Sequence, residues 1–286
     1  MAGDRSGSTR PAAPLVGAVS SARAPERIFI TGASSGIGAA LARQYAARGA
    51  VLGLAGRRHD ALQALCDSLP GQAHRIYALD VRDHTALQEA AQDFLAAGPV
   101  DRVIASAGIS VGTLTDAPED ESVFKAIFDT NVLAMVATFA PFIASMRARG
   151  QGSLVGIGSV AGVRGLPGAG AYSASKAAVR AYCESLRVEL HGTGVRVVTL
   201  APGFIATPMT AHNPYRMPFL MPVDRFAAQA VRAIDAGVSY RVIPWPMAWV
   251  GRLLRLVPDA LYDRVAAGRQ RKPRAAGQAP RRIPGL

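Results

Sequence analysis

The sequence has little of what a disulfide-stapled or metal-binding protein needs. It contains 2 cysteines in 286 residues, and Cys66 and Cys183 lie far apart without metal-ligand or redox spacing. The 5 histidines show no ligand spacing either, which gives no reason to expect a metal site. We expect a reduced, intracellular protein in which both thiols are buried.

The amino-terminal stretch lacks the continuous apolar core of a signal peptide. Residues 1–25 are rich in Ala, Pro, Ser and Gly, and their run APLVGAV is too short and too weakly apolar to be such a core. We expect 1–25 to be a flexible extension of a cytoplasmic protein. The chain also lacks an internal repeat with a period of about 20 to 50 residues.

Acidic residues are scarce near both ends of the chain. Of the net charge of +12, residues 268–286 carry +6 without any acid, residues 1–25 carry +2, and the remainder carries an ordinary +4. We therefore expect 268–286 to be a solvated, disordered basic tail and no nucleic-acid partner. An electrostatic contact of the tail with a membrane or polyanion is the alternative.

Apolar, β-rich runs alternate with helical patterns along 26–244. Half of the residues are hydrophobic, as suits a buried sheet covered on both faces. The predicted strands are 27–30, 51–56, 74–79, 101–106, 153–158, 195–200 and 241–244. The predicted helices are 36–48, 59–69, 84–97, 120–149, 172–191 and 224–236. This order predicts an α/β fold with a single doubly wound parallel sheet, Rossmann-like, and helices on both faces.

A glycine-rich turn, TGASSGIG, follows the first predicted strand. Gly32, Gly36 and Gly38 permit a tight turn and a close backbone approach, while Ser34 and Ser35 offer hydroxyl donors. The amide groups that open the next helix favour an anion, so a dinucleotide pyrophosphate fits here. The spacing differs from the commoner G-x-G-x-x-G, and a purely connecting turn remains the alternative.

Two arginines follow the second predicted strand. A fold that binds NAD places an acid near this edge to hold the ribose 2′-hydroxyl, whereas this chain has Arg57 and Arg58. Guanidinium groups suit a 2′-phosphate, which predicts NADP(H) as the cofactor. The alternative is a pair of exposed arginines that precede a helix.

Tyr172 and Lys176 are four residues apart in a predicted helix and therefore share a face. An ammonium beside a phenol favours the phenolate, so we expect a lowered pKa for Tyr172 and a role as acid and base. Ser159 follows the predicted strand 153–158, at the sheet edge that also holds the glycine turn. Its hydroxyl is placed to donate to a substrate carbonyl.

In this chain order the motifs resemble the short-chain dehydrogenase/reductase family over about residues 26–240. The segment LDV is similar to the adenine-contacting segment of that family, GSVAG and YSASK to its catalytic motifs, and PGFIATPM to its nicotinamide-side loop. The resemblance implies the catalytic residues Asn131, Ser159, Tyr172 and Lys176, with Asn131 holding a water in the proton relay. It implies cofactor contacts from Gly32, Ser34, Ser35, Gly36, Ile37, Gly38, Arg57, Arg58, Asp80, Val81, Ala107, Gly108, Tyr172, Lys176, Pro202, Gly203, Ile205 and Thr207.

The chain departs from the family where Ala105-Ser106-Ala107-Gly108 replaces the usual N-N-A-G. The resemblance implies that the missing asparagines remove side-chain hydrogen bonds that brace the middle of the sheet, although Ser106 could replace one of them. The resemblance implies an NADP(H)-dependent reductase of carbonyls, or the reverse alcohol dehydrogenase, which assembles into a homodimer or homotetramer. A catalytically silent NADPH-binding protein is the alternative function.

The segments nearest the substrate are less informative. Residues 203–222 show no clear period, and their large apolar side chains favour a small apolar substrate unless they only pack this cover onto the domain. These side chains are Phe204, Met209, Met217, Phe219, Leu220 and Met221. We expect residues 245–267 to form a cap, which covers either the active site or part of a neighbouring subunit. The alternative is a peripheral contact with a membrane. The cap predicts that Trp245 and Trp249 are buried.

Overall fold

The predicted sheet is present in the computed structural model, which describes Gly3, residues 24–268 and residues 270–274. Seven strands form the sheet: β1 Arg27–Thr31, β2 Val51–Gly56, β3 Arg75–Ala78, β4 Arg102–Ala105, β5 Gly152–Ile157, β6 Val195–Pro202 and β9 Tyr240–Ile243. They pair in parallel in the order β3-β2-β1-β4-β5-β6-β9. Every strand predicted from the sequence is found, with ends shifted by at most two residues.

Helices cover both faces of the sheet. Their bounds are α1 Gly36–Ala46, α2 His59–Ser68, α3 His84–Ala96, α4 Glu121–Phe128, α5 Ala134–Arg149, α6 Gly170–Glu189, α7 Val223–Asp235, α8 Pro246–Leu256 and α9 Asp259–Ala266. Ile28 and Ile30 of β1 pack against α1 and α7, while Phe29 between them packs against α3 and α5. This alternation follows from the two-residue period of a strand, and it makes two buried cores.

The predicted helix 120–149 is interrupted. A π-helical segment at Asp129–Leu133 separates α4 from α5. By length and composition, the stretch 118–149 could cross a membrane. The core helix of a soluble protein can be equally long and apolar. Phe139 and Phe142 of this stretch are fully buried against the sheet, so its apolar character has a packing explanation.

The carboxyl-terminal segment forms two helices that Arg164 fastens to the domain. Its guanidinium donates to the carbonyls of Leu254 and Val257 at 2.6 Å each and lies 4.0 Å from the ring centroid of Tyr262. The outer face stays open, because Trp245 is 71% and Trp249 57% exposed. The cap interpretation predicted that these tryptophans are buried, and this was wrong. Helix α8 packs on the domain through other side chains.

The cover 203–222 contains a small parallel pair, β7 Ile205–Ala206 and β8 Met221–Pro222. Met221 is buried in the core, whereas Met209, Phe219 and Leu220 are exposed. The apolar residues of the cover thus have mixed roles. The prediction of two buried thiols was also only half right, since Cys183 is buried and Cys66 is partly exposed.

Candidate active site

The glycine-rich turn leads from β1 into α1 with close backbone contacts. Gly32 has φ 67° and Gly36 has φ 57°, both in the region that favours glycine. A Cβ atom on Gly32 would lie 2.7 Å from the backbone of Ala107, and one on Gly38 would collide with the carbonyl of Gly32. The turn therefore requires glycine. Because no side chain stands in the way, an anion can closely approach the backbone amide groups at the start of α1.

The nicotinamide-side loop lies next to this turn. A Cβ atom on Gly36 would lie 3.5 Å from the Thr207 side chain, so the loop after β6 and the start of α1 are neighbours. Gly203 packs against Met247 of α8, and Ile205 is buried in the core. Two of the segments predicted to contact the cofactor thus meet at the carboxyl edge of the sheet.

Arg58 extends from the end of β2 to the glycine-rich turn. Its guanidinium donates to the Ser34 carbonyl at 3.1 Å and to Ser34 Oγ at 3.2 Å. Asp80, at the end of the next strand, forms an ion pair with Arg82 at 2.8 Å. Although burial opposes ionisation, the hydrogen bonds from Arg82 and the charge of Arg57 hold the pKa of Asp80 below its usual value. The edge therefore combines exposed arginines with an ionised aspartate.

Ser159, Tyr172 and Lys176 come together as the sequence predicted. Ser159 follows β5, and its Oγ accepts a hydrogen bond from Ala161 N at 3.1 Å. Tyr172, near the start of α6, lies close enough to Ser159 for this side chain to act on its pKa. One helical turn later, Lys176 is buried and donates to the Ile157 carbonyl at 2.8 Å, with its Nζ 5.9 Å from the Tyr172 ring centroid.

The expected depression of the Tyr172 pKa is not observed in this structure. Burial raises the pKa of Tyr172, and the hydrogen bond with Ser159 opposes that rise only in part. Burial likewise lowers the pKa of Lys176 to about 8, which leaves the ammonium mostly charged near neutrality. The prediction considered the neighbouring charge but left out the desolvation of both groups, which is the larger effect here.

Asn131 lies in the π-helical segment and is fully buried. Its Nδ2 donates to the Ile109 carbonyl and to Ser175 Oγ at 3.0 Å each, and its Oδ1 accepts from Ile109 N at 2.8 Å. The side chain therefore braces the loop after β4, while the role of holding a water stays a prediction. Thr31 Oγ1 accepts from Ala107 N at 3.5 Å, which offers a weak substitute for the missing family asparagines.

Sequence reasoning missed the position of residues 270–274. The interpretation of 268–286 as a solvated tail does not hold there, because Arg274 forms ion pairs with Asp120 at 2.7 Å and Glu119 at 2.8 Å. Lys272 Nζ lies 5.7 Å from the Tyr172 ring centroid. Composition alone suggested a free tail, and no periodic pattern in these residues indicated contact with the site. Residues 1–2, 4–23, 269 and 275–286 lie outside the described part of the chain.

Comparison with known proteins agrees with this geometry. A family model described as short chain dehydrogenase matches residues 26–216. An uncharacterized oxidoreductase of Myxococcus xanthus is 42% identical over 83% of this chain and 95% of its own length. The sulfoacetaldehyde reductase of Chromohalobacter salexigens is 40% identical over 64% of this chain and 74% of its own length.

A solved structure shares the fold. The alcohol dehydrogenase of the archaeon Thermococcus sibiricus, complexed with 5-hydroxy-NADP, aligns with a TM-score of 0.69 and 28% identity over 76% of this chain and 95% of that one. In this chain, the parallel sheet and the glycine-rich turn after β1 are typical of a dinucleotide-binding fold. The chain belongs to the short-chain dehydrogenase family and is an oxidoreductase that uses a nicotinamide cofactor.

Proposed function

We propose that the protein reduces the carbonyl group of a small molecule with NADPH, or oxidises the corresponding secondary alcohol with NADP⁺, and that Tyr172 is the acid and base. The observation that carries the proposal is the meeting of Ser159, Tyr172 and Lys176 beside the glycine-rich turn. A relative named as a sulfoacetaldehyde reductase supports carbonyl chemistry.

The donor set at the end of β2 fits a phosphorylated cofactor. Arg57 and Arg58 are both exposed at this edge, and Arg58 is held beside Ser34 of the turn. A guanidinium presents several N–H donors to phosphate oxygens, so the pair suits a 2′-phosphate better than a hydroxyl. The solved relative with a bound NADP derivative gives further support.

The bound nicotinamide supplies or accepts the hydride, and the chain's own residues manage the carbonyl oxygen. Ser159 donates to that oxygen and polarises it. Tyr172 gives its phenolic proton to the oxygen as negative charge develops there. Lys176, held on the Ile157 carbonyl, places a positive charge near the tyrosinate that results. Asn131 holds the loop after β4 against α6 through hydrogen bonds with Ile109 and Ser175.

Assembly and placement belong to the same proposal. We expect a homodimer or homotetramer in the cytoplasm, acting on a small carbonyl compound whose apolar body contacts the cover 203–222. Peripheral membrane contact through the exposed face of α8 stays a prediction. The alternative, a silent NADPH-binding protein, is disfavoured because the three proposed catalytic side chains are present and lie near one another.

The proposal is tested by following NADPH oxidation with a panel of aldehydes and ketones. Tyr172→Phe removes the transferable proton and should lower kcat by about a hundredfold or more, while NADPH binding, measured by fluorescence titration, is kept. Tyr182→Phe is the matched control, because Tyr182 lies in the same helix but stacks on Phe139 in the core. Activity of Tyr172→Phe within a few-fold of the unmodified protein would show that another group is the acid.

A further inference from the structure

Residues 270–274 pack on two loops of the domain beside Tyr172. Gly112 N donates to the Pro273 carbonyl at 2.9 Å, and Arg274 pairs with Asp120 and Glu119 beyond it. On the other side, a Cβ atom on Gly168 would lie 2.8 Å from the side chain of Arg271. The segment is therefore attached to the loops that precede α4 and α6, and these attachments hold Lys272 over the catalytic tyrosine.

The ammonium of Lys272 has no counter-charge among the residues that the structure describes. Within residues 24–268 and 270–274, no acidic side chain forms a hydrogen bond or ion pair with its Nζ, and the nearby carboxylates of Asp120 and Glu119 bind Arg274. The ammonium lies over the face of the Tyr172 ring, with Nζ 5.7 Å from the centroid. A partly buried charge without an anionic partner is costly, so the arrangement calls for an anion that arrives with a ligand.

Burial lowers the pKa of Lys272 to about 8. The group is therefore still mostly cationic near neutral pH, as an anion-binding role requires. The second lysine at the site, Lys176, is held on the Ile157 carbonyl and lies 5.9 Å from the same ring centroid. Both ammonium groups thus lie near the Tyr172 ring. Among the described residues, Lys176 is fixed by a hydrogen bond to the sheet, whereas Lys272 is not.

We propose that Lys272 binds an anionic group of the substrate, so that the enzyme acts on small aldehydes or ketones that carry a carboxylate, sulfonate or phosphate. The inference rests on the proposed carbonyl reduction and names the class of its substrate. With the carbonyl oxygen on Ser159 and Tyr172, the anion extends toward residues 270–274. Lys272 is then a specificity-determining residue, and Arg274 is a positioning residue that acts by anchoring it.

The test compares a series of ω-oxo acids, from glyoxylate to 5-oxopentanoate, with their neutral methyl esters as substrates of the full chain. We expect the unmodified protein to prefer at least one acid over its ester. Lys272→Gln should lower kcat/KM for that acid by about tenfold or more, chiefly through KM, because a hydrogen-bonded charge pair is lost. The ester should change by less than about threefold, and Lys272→Arg should restore the preference.

Two further variants separate charge recognition from a structural effect. Arg274→Gln should weaken the preference in the same direction by loosening the segment, while Arg252→Gln, which removes an exposed charge on α8, should leave it unchanged. The affinity for NADPH should be the same in all variants. Equal losses for acid and ester, faster turnover of both, or weaker NADPH binding by Lys272→Gln would each overturn the proposal.

A binding measurement distinguishes this inference from the proposed function. The corresponding ω-hydroxy acids are titrated calorimetrically into the unmodified protein, Lys272→Gln and Tyr172→Phe, each saturated with NADPH, because an alcohol and the reduced cofactor cannot react with each other. Binding that Lys272→Gln loses and Tyr172→Phe keeps supports the anion site even if no carbonyl in the series is reduced, in which case only the reaction fails. Turnover without any dependence on Lys272, or hydroxy acids that bind no better than their methyl esters, refutes the anion site alone.

Discussion

Arg58 shows how one side chain connects two parts of the cofactor edge. Its guanidinium donates to the carbonyl and the hydroxyl of Ser34, so the end of β2 and the glycine-rich turn are held together. The charge of Arg57 also helps to keep Asp80 ionised. A 2′-phosphate placed here would meet donors that are already oriented, which reduces the cost of ordering them on binding.

The double variant Arg57→Ala/Arg58→Ala tests the cofactor preference. Hydrogen bonds to charged groups contribute about 1.5 to 3 kcal/mol each, so the ratio of NADPH to NADH affinity should fall by about tenfold or more. The measurement is a pair of Kd values from fluorescence titration, with the exposed Arg43→Ala of α1 as control. Equal affinity of the unmodified protein for both cofactors would contradict the preference for NADP(H).

The single residues that the sequence revealed were those with a short-range signature. The spacing of Tyr172 and Lys176, and the glycines of the turn, can be recognised within a few positions. The bracing role of Asn131 depends on a π-helical segment, and the position of Lys272 depends on contacts of its segment with residues a hundred or more positions earlier. Local patterns do not encode such contacts, so neither could be predicted.

At the scale of elements, periodicity located the sheet well and the carboxyl-terminal helices poorly. Buried parallel strands are continuous apolar runs, and this is why β2 was predicted to the residue. Helices α8 and α9 have a mixed pattern interrupted by Pro258, and their attachment through Arg164 is a tertiary interaction. The Arg164 side chain is only 16% exposed and satisfies carbonyls at the end of α8 that would otherwise lack a partner.

Arg164→Ala should therefore loosen α8 and α9. Removing a buried charged donor costs about 1.5 to 3 kcal/mol, whereas its ion pair with the exposed carboxylate of Asp259 adds little. We expect a lower urea midpoint by circular dichroism and faster amide hydrogen exchange in 246–266. Arg252→Ala, on the outer face of α8, is the control. Unchanged exchange in α8 and α9 would mean that apolar packing, through Met247 and Gly251, holds them instead.

At the scale of the whole molecule, several large apolar side chains are exposed to solvent in the part of the chain that the structure describes. Phe124, Leu133 and Val136 on the α4–α5 stretch are 42%, 49% and 37% exposed, and Val188 near the end of α6 is 62% exposed. The inner faces of the same helices are packed on the sheet. Composition indicated long apolar helices, but which face each one buries depends on the sheet that it covers.

We expect these helices to form the subunit interface of a dimer or tetramer. Exposed apolar patches on a folded domain mark interaction sites, and burying them removes apolar area from water at about 25 cal/mol per Å². Light scattering at micromolar concentration should give at least twice the mass of one chain. Val136→Glu/Val188→Glu should shift the mass toward that of the monomer, because two charges per subunit would have to be buried without partners. Leu253→Glu, which changes a residue of α8 that is about as exposed as Val188, should leave the assembly intact. A monomeric unmodified protein would refute the assembly, and loss of the assembly only in Leu253→Glu would move the interface to α8.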